Sequence, residues 1–105
     1  MMKESHSRMK TMRPLKADLH IHTAEDPLDR VKYTAKDLIT KAADEGFDVL
    51  AITNHHCITF NQDLFSFARE RGVFLIPGIE ITIKRRHVVI LNPPRGKTFS
   101  DFPSL

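Results

Sequence analysis

Between Ala17 and Ile76 the hydrophobic period of this chain switches repeatedly between two and 3.6 residues, which commits it to alternating strands and helices. Ala17 to His22 (ADLHIH) alternates as a strand, with Leu19 and Ile21 on one face and Asp18, His20 and His22 on the other. Thr34 caps a helix, Asp37 completes a capping box, and Leu38, Ile39, Ala42 and Ala43 supply the buried stripe that Gly46 ends. Asp48 to Thr53 (DVLAIT) is almost continuously apolar, as a strand covered on both faces would be.

A second helix is expected from about Asn61 to Arg71, burying Leu64, Phe65 and either Phe67 or Ala68, with Gly72 closing it. Val73 to Ile76 reads as a third strand that Pro77 and Gly78 break. Ile79 to Lys84 and His87 to Leu91 read as a hairpin, or two adjoining strands, around Lys84, Arg85 and Arg86, and Asn92, Pro93 and Pro94 stop it. Strand, helix, strand, helix, strand is the order of right-handed parallel βαβ units, so the fold class is α/β. In such folds chemistry gathers beyond the carboxyl ends of the strands.

The chain of 105 residues is one domain at most and is too short for a full α/β barrel. Residues 1–15 read as a flexible lead-in, 16–92 as the folded domain and 93–105, with Phe99 and Phe102, as an irregular tail. The net charge of +3 arises partly in the first sixteen residues, where Lys3, Arg8, Lys10, Arg13 and Lys16 face only Glu4. A short basic arm of this kind gives no strong nucleic-acid signal, and no stretch has the apolar length of a membrane span or the core of a signal peptide. The single cysteine, Cys57, excludes an internal disulfide and makes a reducing cytoplasm the expected compartment.

The histidines lie where such a fold would place a site. His20 and His22 are two apart on a strand, so both imidazoles leave one face and can reach one ion. Asp18 shares that face and is expected to accept a ring N–H from a ligand histidine. His55 directly follows the second strand and Glu80 follows the third, after the Pro-Gly turn, so three strand ends converge. A carboxylate among imidazoles can bridge two ions, which suits Glu80.

His87 opens the last strand and either approaches the same ions or is a half-exposed strand residue. Of Glu25 and Asp26, Asp26 is the expected oxygen ligand, because Pro27 stiffens the turn beside it. His56 is expected to line a pocket or lie on the surface, and Cys57 to be structural. Arg85 and Arg86 are either a phosphate clamp or a solvated hairpin tip.

DLHIHT (Asp18 to Thr23), AITNHH (Ala51 to His56) and PGIEI (Pro77 to Ile81) resemble, in order and spacing, the first three motifs of PHP (polymerase and histidinol phosphatase) domains. That resemblance covers roughly Lys16 to Asn92 and implies half of a distorted (β/α)7 barrel. It implies two or three divalent ions, zinc, manganese or iron, and hydrolysis of phosphoesters such as histidinol phosphate, nucleotides or oligonucleotide ends. It also implies that His20 and His22 bind one ion, that Glu80 bridges two, and that His55 and the acid after His22 serve another. His87 resembles a histidine that some phosphoesterase members carry after the third motif. Asn54 stands where many relatives have Asp, and the later ligands, a further histidine and a closing Asp-x-His, have no counterpart after Leu91.

The expected activity is therefore metal-dependent hydrolysis of a phosphomonoester or nucleotide by an activated water. Two alternatives stand beside it: a truncated, non-catalytic metal-binding fragment that needs a partner for the missing half, and a single-metal amidohydrolase-like enzyme. An open half-barrel would expose sheet edges, so self-association or a completing partner chain is also expected.

Overall fold

The computed structural model describes residues 13–94, so residues 1–12 of the expected lead-in and residues 95–105 of the expected tail lie outside it. The elements are β1 (Ala17–Ile21), α1 (Ala35–Asp44), β2 (Val49–Ile52), α2 (Gln62–Glu70), β3 (Phe74–Ile83) and β4 (Arg86–Leu91). They form a four-stranded sheet in the order β1, β2, β3, β4. The first two pairings are parallel and the third is antiparallel. This is the α/β class that the period switches imply, in the half-barrel form that the resemblance implies.

Local chemistry fixes both helix starts. Thr34 accepts from the backbone of Asp37 at 3.2 Å while the Asp37 carboxylate accepts from Thr34 N at 3.1 Å, a closed capping box. Asn61 caps α2 by accepting from Leu64 N at 2.8 Å. Gly46 and Gly72 follow the helices with φ of +82° and +81°, the left-handed conformation that lets the chain leave a helix and return toward the sheet.

Ala35, Ile39 and Ala42 of α1 and Leu64 and Ala68 of α2 join Ile21, Leu50, Ile52, Val73 and Leu75 in one apolar core. Leu38, Ala43, Phe65 and Phe67 pack partly buried around it. At the opposite end from the histidines, Asp48 is buried and receives two hydrogen bonds from Arg13, at 3.0 and 3.1 Å, and one from Lys16 N at 2.9 Å. That end of the sheet is tied shut by a fork geometry that only Arg supplies.

The sequence reading needs correction at two places. First, Pro77 and Gly78 do not break the third strand, and β3 runs unbroken through ten residues. Its first half pairs with β2 as far as Ile52↔Pro77, and its second half pairs with β4 from Gly78↔Leu91. Proline fits because the strand changes partner there, and its carbonyl accepts from Asn92 N at 2.7 Å. Glycine fits because a Cβ at residue 78 would meet Thr53 Cγ2 at 2.9 Å and Ile52 O at 3.1 Å.

Second, the apolar face of β1, on which Leu19 and Ile21 would be expected to be buried together, is covered only at Ile21. β1 is an edge strand among the described residues, and Leu19 remains 38% exposed while Ile21 is buried. Alternation fixes which side chains share a face, but not whether a further layer covers that face.

Candidate metal centre

The β1–β2 register slips between Asp18 and Ile21, at the stretch that carries His20. Irregularities of this kind re-aim side chains at sheet rims. Asp18 accepts from His20 N at 3.2 Å, so it stabilises the slipped backbone and is not the ring acceptor that its face suggested. Beyond the end of β2, His55 bridges to Glu80 in parallel fashion. Glu80 N donates to Asn54 O at 3.1 Å and His56 N donates to Glu80 O at 2.9 Å. The backbone therefore fixes His55 beside Glu80 before any side chain contributes.

Around the buried Glu80 carboxylate stand four imidazoles. His20 Nε2 lies 2.7 Å and His22 Nε2 3.0 Å from Oε1. His87 Nδ1 lies 3.0 Å and His55 Nε2 3.4 Å from Oε2. His87 reaches the cluster because β4 returns antiparallel with His87 opposite Thr82, two residues along the same strand face from Glu80. It remains the most solvent-open of the four, with 65% of its side chain exposed.

A second carboxylate closes the cluster from the loop side. Asp26 Oδ2 lies 2.7 Å from His22 Nδ1 and 3.0 Å from His55 Nδ1, and it also accepts from His55 N at 2.9 Å. Its other oxygen accepts from Leu28 N and Asp29 N at 2.7 and 3.0 Å. The neighbouring acid Glu25 has a different task, since its carboxylate receives Ala35 N at the start of α1 at 3.1 Å. A carboxylate there complements the helix dipole.

Burial by itself would push the Asp26 carboxyl up, but the backbone N–H groups of His55, Leu28 and Asp29, together with His22, hold it well below the ordinary range. Burial likewise works to raise Glu80, and the hydrogen bond from His20 with the charges of His55, His20 and His22 outweighs it and lowers Glu80. For His55 burial works to lower the pKa, yet the Asp26 hydrogen bond and the charges of Asp26, Glu80 and Asp29 raise it. Every shift that is resolved favours the charged form.

The donor set fits divalent cations on one further count. His22 and His55 each present both ring nitrogens to carboxylate oxygens, and a neutral imidazole has one N–H to give. The second nitrogen of each ring then needs a proton or a cation. Three groups of candidate ligand atoms each lie within 4.8 Å of one another: His22, Asp26, Asp29 and His55; His20, His22 and Glu80; His55, Glu80 and His87. They overlap through His22, His55 and Glu80, so they form one continuous centre.

Asp29 is the residue that the sequence reading missed. Its carboxylate lies 3.4 Å from His22 Nδ1 and 3.7 Å from His55 Nδ1. The available signal was its place in the same Pro27 turn as Asp26, three residues on. Asn54 is fully buried and turned away from the rings. It accepts from Thr23 N at 2.9 Å and donates to the Thr23 and Thr59 hydroxyls at 2.9 and 2.7 Å, stapling the two loops that carry His22 and His55. His56 is exposed, and the half-buried Cys57 thiol lies 3.8 Å from the Thr59 hydroxyl.

The chain is 34% identical over 73 residues to the DNA polymerase III PolC-type of Caldanaerobacter subterraneus subsp. tengcongensis, covering 70% of this chain and 5% of that relative. Its fold matches an amidohydrolase from Chromobacterium violaceum, solved with bound sulfate and no metal, at a TM-score of 0.65 and 26% identity. That superposition covers 78% of this chain and 29% of the other, so the chain spans a small part of each. The PHP domain family matches residues 18–98, a stretch that begins just before His20 and takes in every side chain placed around Glu80. On that match, this chain belongs to the PHP domain family.

Proposed function

We propose that this chain provides one side of a multinuclear metal centre that hydrolyses phosphoesters, with a phosphomonoester or nucleotide as substrate. The observation that carries the reading is the buried Glu80 carboxylate with imidazoles from β1, the β2 end and β4 within 3.4 Å of its two oxygens. His20 and His22 would hold one ion with Glu80 Oε1, His87 a second with Glu80 Oε2, and His55 with Asp26 a further one, with Asp29 beside it. Divalent ions bound there supply Lewis acidity, lowering the pKa of a coordinated water and neutralising phosphate oxygens. Zinc, manganese and iron all suit histidine with carboxylate.

The protein's own residues organise that chemistry. Glu80 presents its two oxygens to different neighbours, and its negative charge would offset the repulsion between cations held on either side. Asp26 accepts the Nδ1–H of His22, which leaves the Nε2 lone pair facing Glu80 and fixes that ring's tautomer. Asn54 holds the two ligand loops in register without competing for the rings.

Elemental analysis of the purified chain tests the reading, with His20→Ala and Glu80→Gln alongside. More than one ion per chain, reduced in both variants, is expected. A metal-free chain after growth with zinc, manganese and iron, or phosphoesterase activity of a preparation that survives chelation, would defeat it.

One observation favours a second reading, in which the centre is completed from elsewhere. Among the described residues β1 has no strand on its outer edge, and each group of candidate ligands has at most four donors. A further strand and further ligands, from a partner chain or a second copy, suit that edge. A single-metal amide hydrolase is less favoured, because three overlapping ligand groups exceed what one ion uses. Phosphoester and amide substrates, with the ion count, separate the two.

A further inference from the structure

Three phenylalanine rings form a row from the loop before α2 to the start of β3. Phe60 and Phe65 stand 6.0 Å apart, and Phe65 and Phe74 5.8 Å apart, centroid to centroid. Together with Ile58, Leu91 and Pro94 they wall a groove of about 910 Å³. Phe74 is 55% exposed, and Ile58 and Leu91 are exposed too. Large apolar side chains gathered at one exposed groove mark a surface for docking.

The groove follows the stretch of β3 that β4 leaves uncovered. β2 occupies one edge of Phe74 to Pro77, and on the other edge β4 pairs only as far as Gly78↔Leu91. One more bond, from Asn92 N to Pro77 O at 2.7 Å, continues the ladder. Pro93 and Pro94 then end it, because neither has an N–H to donate. Phe74 to Ile76 are left with no strand on that edge among the described residues. β4 runs antiparallel to β3, so the chain leaves it along this edge in the direction of Phe74, and Pro94 already lines the groove.

Residues 95–105 follow Pro94 directly and read RGKTFSDFPSL, with Phe99 and Phe102 three apart among mainly polar neighbours. The uncovered stretch from Gly78 back to Phe74 is four residues of strand, about 13 Å. The five residues from Pro94 to Phe99 span about 16 Å when extended, enough to carry Phe99 to any point along it. A segment tethered at the rim of a groove meets it at an effective concentration in the millimolar range, on the order of what short linkers give. A second copy of the chain has no such advantage.

We infer that residues 95–105 dock in this groove, placing Phe99 and Phe102 against Phe65 and Phe74 and shielding the uncovered edge of β3. Ile58 and Phe60 lie three and five residues after His55, so the docked segment would also brace the loop that carries that histidine.

The test is urea unfolding of the full chain, of Phe74→Ala, of the pair Phe99→Ser with Phe102→Ser, and of all three substitutions together, each at two protein concentrations a hundred-fold apart. Phe74 is more than half exposed and the other two positions lie outside the described core, so every variant keeps that core. Replacing the two tail rings is expected to lower the folding equilibrium constant roughly ten-fold, the scale of burying part of a phenylalanine. Phe74→Ala should cost a similar factor. The triple variant should lose clearly less than the product of the two factors, because each replacement removes the same contact. All three results should be independent of protein concentration.

An unchanged urea midpoint after loss of Phe99 and Phe102 overturns the inference. So does a triple variant that loses the full product, which would show that the tail rings and Phe74 share no surface. Coupling that strengthens with protein concentration would overturn it too, by placing the tail on a second copy.

Discussion

His22 and His55 stack with ring centroids 4.6 Å apart and planes 22° from parallel, each spanning the gap between Asp26 and Glu80. Two residues separated by a helix and a strand in the sequence thus form a pair of struts between two acids. A neutral imidazole has one N–H to give, so each strut has a ring nitrogen left over for a cation.

Proton uptake sets the stability of the metal-free chain. Asp26 and Glu80 lie below their ordinary values of 3.8 and 4.5, so the stability they contribute is present above those values and lost as pH falls through the folded ones. His55 lies above 6.5, so its contribution is full below that value and lost as pH rises through the folded one. Chelator-treated protein should resist urea best between about pH 5 and 6 and weaken toward about pH 8. Metal-loaded protein should show the reverse trend over that upper range, because ligand nitrogens must be deprotonated. Urea melts at the two pH values, with and without chelator, decide it.

Asp26→Asn keeps the size of the side chain and withdraws its charge. One oxygen then remains for donors that two now serve, from Leu28, Asp29, His55 and His22. A loss of about 1–3 kcal/mol in stability is expected, together with reduced metal content. Unchanged melting and unchanged metal would show that Asp26 is incidental.

Glu80→Gln should reduce metal affinity by more than about ten-fold, since even acceptors outside the ligand shell carry effects of that order. Glu25→Ala is the control. It removes the acceptor of Ala35 N and should lower stability by about 1 kcal/mol or less while metal content stays at the wild-type level. Elemental analysis of both variants separates the acid among the histidines from the acid at the start of α1.

Gly78→Ala should destabilise by about 1–3 kcal/mol, because its methyl group would press on Thr53 Cγ2 at 2.9 Å and on the Ile52 carbonyl. Adding Thr53→Ser removes the first contact and leaves the second. The double variant should recover part of the loss, which chemical denaturation would measure.

Periodicity and caps disclosed the helices and most of the strand positions because each is a local effect: Thr34 and Asp37 close their own box, and Leu64 and Ala68 face the core at helical spacing. The convergence of His20, His22, His55 and Glu80 was legible for the same reason, since parallel strands bring their ends to one rim. What the pattern hid depends on neighbours distant in sequence. Pro77 and Gly78 look like a stop when read alone and become continuous strand only because β4 takes over the pairing. Asp18 and Asp29 exchanged roles because a slipped register and a turn, neither visible as a period, decide which carboxylate meets the rings.

The exchange of partners along β3 also has a mechanical consequence. His20 and His22 ride on the parallel layer, whereas Glu80 and His87 ride on the hairpin that begins where that layer ends. Cations seated between them would add a side-chain clamp to a joint that the backbone bonds of Glu80 with Asn54 and His56 already make. Stripping those cations should therefore loosen the clamp of side chains while the backbone joint at Glu80 stays closed, so that the apo protein frays at its rim and not along the sheet.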